Sequence, residues 1–151
     1  MANLKGDLVD NICCIKYATT SIKCCALGTS IEGGRLIYKG GGKAVIVAPR
    51  PTISGTVTAV CRIWDSRGDA VTVAQAAVPC GDWYIPNWSD LITYVEFCGR
   101  NNWDTYTCCL WSDSGKTATL AWAANIFSGY ITSSRTKATL TEVRAFRNVY
   151  Y

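Results

Sequence analysis

Residues 80–91 read CGDWYIPNWSDL, and they set a Trp, a Pro and a helix start within one short stretch. The side-chain oxygen of Asn87 is placed to accept a hydrogen bond from an orphan N–H of a first helical turn. Asp90, three residues on, approximates the reciprocal partner of a capping box. Leu91, Tyr94, Val95 and Cys98 follow at i, i+3, i+4 and i+7, the apolar stripe of a helix. Upstream, GDAVTVAQAAV (68–78) repeats that spacing with Ala70, Val73, Ala74 and Ala77; Asp69 is placed to cap it and Pro79 stops it. The stretch is therefore a corner between two short helices. Trp83 is expected to wedge that corner into the core, where an indole buries on the order of 200 Å².

Strands lie on both sides of the helices. GGRLIYKGGGKAVIVAP (33–49) gives two strand-like runs, Arg35 to Lys39 and Lys43 to Ala48, joined by Gly40, Gly41 and Gly42 as a hairpin and ended by Pro49 and Pro51. TVTAVCRIW (56–64) continues as strand up to Trp64, and DSRG is turn chemistry. After residue 99 the alternation of Thr119, Ala121 and Ala123 against Leu120, Trp122 and Ala124, and of Val143 and Ala145 against Arg144 and Phe146, is that of half-exposed strands. The order strands, helices, strands predicts an α+β domain, its two short helices packed on one antiparallel sheet system. Residues 1–32, with NICCIKYATTSIKCCALG, read as a separate strand-forming arm, leaving 33–151 as the domain.

At 151 residues there is room for one domain, which can bury about two-thirds of its unfolded surface. Apolar residues make up 49% and charged residues 17%, too apolar for disorder. The net charge of +4 is spread thinly, without the basic cluster that phosphate neutralisation needs, so no nucleic-acid partner is expected. No apolar run approaches a membrane span and no export signal is evident at MANLKGDLVD, which predicts synthesis in a cytosol. Of nine Cys, six form adjacent pairs, Cys13–Cys14, Cys24–Cys25 and Cys108–Cys109, each expected to send one thiol inward as a small hydrophobe. There is no CxxC and no His, so no metal or cofactor is expected.

Five elements in order carry a resemblance: a Gly-Gly strand start at 33–34, the Gly81-Asp82-Trp83-x-x-Pro86 corner, the Trp111-Ser112 strand, an apolar strand ending in Ser128-Gly129, and Val143-Arg144-x-x-Arg147. Over residues 33–148 the chain resembles the C-type-lectin-like domain of bacterial and phage surface proteins. It is similar in that respect to phage tropism determinants and to formylglycine-generating enzymes. The resemblance implies that Gly81, Asp82, Trp83, Pro86, Trp111, Ser112, Arg144 and Arg147 are scaffold. Animal C-type lectins hold sugar through calcium with Glu-Pro-Asn or Gln-Pro-Asp and a Trp-Asn-Asp strand. Here Ile85 precedes Pro86-Asn87, and the nearest approach to the second motif is Asn101-Asn102-Trp103-Asp104, so no calcium cage is expected.

Function then falls to surface loops. GRNNWDTYT offers Asn101, Asn102, Trp103, Asp104 and Tyr106 as a ligand-binding loop with the amphipathic composition of an adaptable paratope. WSDSGK offers Asp113, Ser114 and Lys116 as a second. Without a His, a GxSxG or a phosphate loop, no enzyme is expected. The expectation is a phage virion surface protein, a capsid-decoration or fibre-type protein, made in the host cytoplasm. Residues 1–32 attach it to other virion proteins, and its lectin-like domain meets a host-surface glycan or protein. The alternative is a dedicated receptor- or glycan-binding tail adhesin. A small homo-oligomer, a trimer by family resemblance, is expected in either case.

Overall fold

Every side chain from Ala44 to Ala48 is buried, because both faces of their strand are covered. A computed structural model describes residues 22–31, 33–49, 63–79, 82–101, 109–126 and 134–151, with the backbone of 52–53, 56–57 and 61–62. The strands of its first part are β1 (Ser30–Ile31), β2 (Gly34–Gly40), β3 (Lys43–Val47), β4 (Thr52–Ile53), β5 (Thr56–Val57) and β6 (Cys61–Arg62). The helix α1 (Asp69–Ala77), the strand β7 (Trp83–Tyr84) and the helix α2 (Trp88–Asn101) follow. The chain ends with β8 (Leu110–Gly115), β9 (Leu120–Ala124), β10 (Arg135–Thr136), β11 (Thr141–Glu142) and β12 (Phe146–Tyr150). This is an α+β protein.

One sheet runs β1-β2-β3-β12-β7, all antiparallel, so the last strand lies in the middle beside β3. Gly41 and Gly42 form the two-residue turn between β2 and β3, with φ of 59° and 76° and Gly40 opposite Lys43. Positive φ at both central positions is what a hairpin turn matching strand twist requires. The second sheet runs β10-β9-β8-β11-β6 and is mixed rather than purely antiparallel, since β11 pairs parallel to β8 with Glu142 opposite Leu110. A separate β4–β5 pair lies outside both.

The two helices cover opposite faces of the first sheet. Val45, Val47 and Phe146 pack with Leu91, Tyr94, Val95, Phe97 and Cys98 of α2, so the predicted stripe is buried as read, with Phe97 added. Each large side chain so buried is worth about 1.5–3 kcal/mol. On the other face, Leu36, Ala44, Ile46 and Val149 pack with Trp83, Ala74 and Val71. The stripe of α1 is thereby turned from the one expected: Ala70 and Ala74 are buried, but Val73 is 46% exposed and Val71 faces the sheet. A helix whose residues are nearly all small or apolar has no polar face to fix its rotation, and tertiary contacts decide it. Gly68 takes the N-cap and Asp69 the first helical position.

Three further expectations change. Trp64 opens a 3-10 turn (Trp64–Ser66) rather than ending a strand, its N–H donating to Lys137 O at 2.9 Å. Thr141–Arg147 is buried throughout, so its alternation is not that of a half-exposed strand. The outward side of that alternation meets α2: Arg144 Nη1 donates to the Tyr94 hydroxyl at 3.2 Å, and Nη2 lies 3.6 Å from Glu142 Oε1. Finally, residues 22–31 lie on the domain. Ile22 is fully buried beside Leu36 and Ile46, Gly28 N–H donates to Leu36 O at 2.7 Å, and Lys39 Nζ donates to the carbonyls of Lys23 and Cys25. Cys24 is exposed and Cys25 half-buried, one thiol outward and one inward, though on a turn. Residues 1–21 lie outside the described part. No described helix is long and apolar enough to cross a membrane.

Candidate functional site

The β8–β9 hairpin is built around a bulge. Trp111 pairs with Ala123 and Gly115 with Ala121, so Ser112, Asp113 and Ser114 oppose the single residue Trp122. Such an excess bends a strand and re-aims its side chains. Buried Ser112 holds the bulge: its Oγ donates to Trp122 O at 2.9 Å and accepts from Ser114 N–H at 3.1 Å. Asp113 is pushed outward to 58% exposure, while its N–H donates to Pro86 O at 2.7 Å. The corner quoted first thereby fixes the hairpin. The turn beyond is closed by Lys116 and Thr117 N–H on Leu120 O, at 2.9 and 3.0 Å, and by Thr117 Oγ1 accepting from Leu120 N–H at 3.0 Å.

Indoles carry cations on both faces of this hairpin. Trp64 packs with Trp111, Ala121 and Ala123 on one face, and its Nε1–H donates to Ser112 O at 3.2 Å. Over its ring lie the Arg67 guanidinium at 3.6 Å and the Lys137 ammonium at 4.1 Å. Arg67 is fully committed: Nη2 and Nε donate to Asp113 Oδ1 at 2.8 and 3.3 Å, and Nη1 to Trp64 O at 2.7 Å. Trp122, alternating with buried Ala121 and Ala123, points to the opposite face, where Trp88 of α2 meets it at 5.1 Å. Lys116 Nζ lies 4.7 Å over that second ring. Exposed cation–π contacts are worth about 0.5–1 kcal/mol each.

A separate polar cluster sits where β7, β12 and α2 meet. The Tyr84 hydroxyl lies 3.0 Å from Asp90 Oδ2 and 3.0 Å from Asn148 Oδ1. Burial and the Asp90 charge push its ionisation above the usual tyrosine range. Asn87 Oδ1 accepts from Asp90 N–H at 2.9 Å as expected for the N-cap, but the Asp90 side chain turns to Tyr84 rather than back to Asn87.

The expected binding residues thus divide. Asp113, Ser114 and Lys116 come together on the hairpin. Asn101 is the last residue of α2, its Nδ2–H donating to Phe97 O at 2.8 Å. It stands about 20 Å along the helix from Trp88, at 1.5 Å per residue. Asn102, Trp103, Asp104 and Tyr106 lie outside the described residues. Trp64, Arg67, Trp88, Trp122 and Lys137 were not foreseen at the site. Trp122 carried a signal, being a large aromatic on the outward phase of a strand whose inward phase is alanine. Trp64, Arg67 and Lys137 carried none, since their meeting depends on the pairing of distant segments. Among the described residues no group of three or more Cys, Asp or Glu is placed to hold a metal ion. The sequence matches no protein-family model and no curated protein.

Proposed function

We propose that this chain is a non-enzymatic surface protein of a bacteriophage virion, a capsid-decoration or fibre-type protein whose C-type-lectin-like domain grips the host surface through the β8–β9 hairpin. The residues of the resemblance support this. The Asp82-Trp83-x-x-Pro86 corner leads into α2, Trp111-Ser112 lies in β8, and Arg147 lies in β12. The observation that carries the binding role is the bulge: it projects Asp113 while Pro86, Arg67 and Ser112 brace it. Polar groups held in place before a ligand arrives lose less freedom on binding. At the hairpin Arg67 is paired with Asp113, and Lys116 and Lys137 lie over indoles. In the virion, residues 1–21 would dock on a neighbouring protein by strand addition, and copies would assemble as a small homo-oligomer.

Adsorption to a panel of bacterial cells tests the role. Wild-type protein should adsorb to at least one strain, and the double variant Asp113→Ala, Lys116→Ala should adsorb at least tenfold less at an unchanged melting temperature, a loss of about 1.4 kcal/mol. Adsorption to no strain, or equal adsorption by the double variant, contradicts the role.

A further inference from the structure

The helix α2 covers only part of its face of the first sheet. Val47, Val45 and Phe146 pack under it. Toward the Gly41-Gly42 turn, the register lines up Tyr38, Val45 and Asn148 across β2, β3 and β12, and then Gly40, Lys43 and Tyr150. Directly paired residues point to one side of a sheet, and the alternate phase, Ala44, Ile46 and Val149, packs toward α1. Val45 is buried, but Tyr38 is 42% exposed and Tyr150 69% exposed, so the end of this face is an open shelf with two aromatic rings on it. Their strands are two spacings apart, about 10 Å. The Tyr38 ring lies along its own strand, since a Cβ on Gly40 would run into its hydroxyl. The inner wall of the shelf is the polar cluster at the start of α2. Tyr84, on β7 beside β12, brings its hydroxyl to 3.0 Å from both Asp90 Oδ2 and Asn148 Oδ1. A phenol has one proton. With the Asp90 carboxylate taking it, the hydrogen-bonding capacity of the Asn148 amide is left for a ligand, and Asp90 Oδ1 has no donor among the described residues. Tyr150 is near enough that its phenol adds to the rise in the Tyr84 ionisation, so wall and rings belong to one place.

From this register we infer that the shelf binds a neutral saccharide, with Tyr38 and Tyr150 against the apolar faces of its sugar rings and Asp90 and Asn148 taking its hydroxyls. The site is on the first sheet and does not depend on the role proposed above for the β8–β9 hairpin. Exposed aromatic rings beside a few fixed polar groups suit a ligand with an apolar side and a hydroxyl-bearing side. A carboxylate in the wall accepts from the hydroxyls of a neutral sugar and repels an acidic one.

The test is electrophoresis of the intact protein through gels holding dextran, mannan or galactan, with dextran sulfate as the acidic comparison. At least one neutral polymer should retard the wild-type protein more than dextran sulfate does, and raised salt should leave that retardation unchanged. Tyr38→Ala with Tyr150→Ala should weaken the binding about tenfold or more, and Tyr150→Ala alone at least about threefold. Both side chains are exposed, so the melting temperature should hold. Asp113→Ala with Lys116→Ala, on the hairpin, should leave the retardation as it is. Retardation by no neutral polymer, a preference for dextran sulfate, or indifference to the tyrosine variants overturns the inference. If the hairpin variant loses the retardation while the tyrosine variants keep it, the sugar is held at the hairpin, and the shelf falls while the hairpin role stands. If the tyrosine variants instead change sedimentation and leave retardation alone, the face is a contact between copies of the chain, which also overturns the saccharide site.

Discussion

Trp83 closes the corner between the helices with both parts of its side chain. The ring is buried against α1 and the first sheet, and Nε1–H donates to Val78 O at 3.2 Å, where α1 has ended. Removing it leaves a cavity and an orphaned carbonyl, so Trp83→Ala should cost about 3–5 kcal/mol in chemical denaturation. Tyr84, its neighbour, points to the other face and acts through its hydroxyl. Tyr84→Phe strips Asp90 of that donor and should cost about 1–2 kcal/mol at neutral pH. The pH dependence has a definite sign. With its ionisation raised in the fold, Tyr84 stabilises fully below its unfolded value of about 10, and that contribution is lost as pH rises through the folded value. Urea unfolding at about pH 8 and about pH 11 should therefore show the wild-type advantage over Tyr84→Phe shrinking at the higher pH. A constant or growing gap would contradict the assignment.

At the level of elements, α2 was legible because its cap and its stripe agree. Asn87 accepts from Asp90 N–H, and Leu91, Tyr94, Val95 and Cys98 all face the core. Asn87→Ala should consequently cost about 1 kcal/mol, read as a lowered denaturation midpoint with an unchanged slope. The Gly41-Gly42 hairpin was legible for the same reason, local residues demanding local geometry. The rotation of α1 was not, because Val71 and Val73 are equivalent until the first sheet chooses between them. Nor was the burial of Arg144, which needs Tyr94 of α2 and Glu142 brought together from fifty and two residues away. The site divides likewise: Asp113, Ser114 and Lys116 share one stretch of sequence, whereas Trp64, Trp88 and Lys137 reach the hairpin only through tertiary contacts.

For the whole molecule, the first sheet joins both ends of the described chain, since β1 pairs with β2, β2 with β3 and β3 with the final strand. Residues 22–31, which follow the proposed attachment segment 1–21, are held on the first sheet, whereas the β8–β9 hairpin belongs to the second. Deleting residues 1–20 retains Ile22 and the carbonyls held by Lys39. The truncated protein should keep the wild-type melting temperature and fail to enter the particle in reconstitution; normal incorporation would remove the attachment role. The central claim, that the hairpin is the surface which meets the host, is tested most directly by amide hydrogen exchange of the intact protein with and without the polysaccharide of a strain it adsorbs to. The account predicts added protection at residues 113–120 and 135–137. Protection confined to other segments, with the hairpin unchanged, would contradict it.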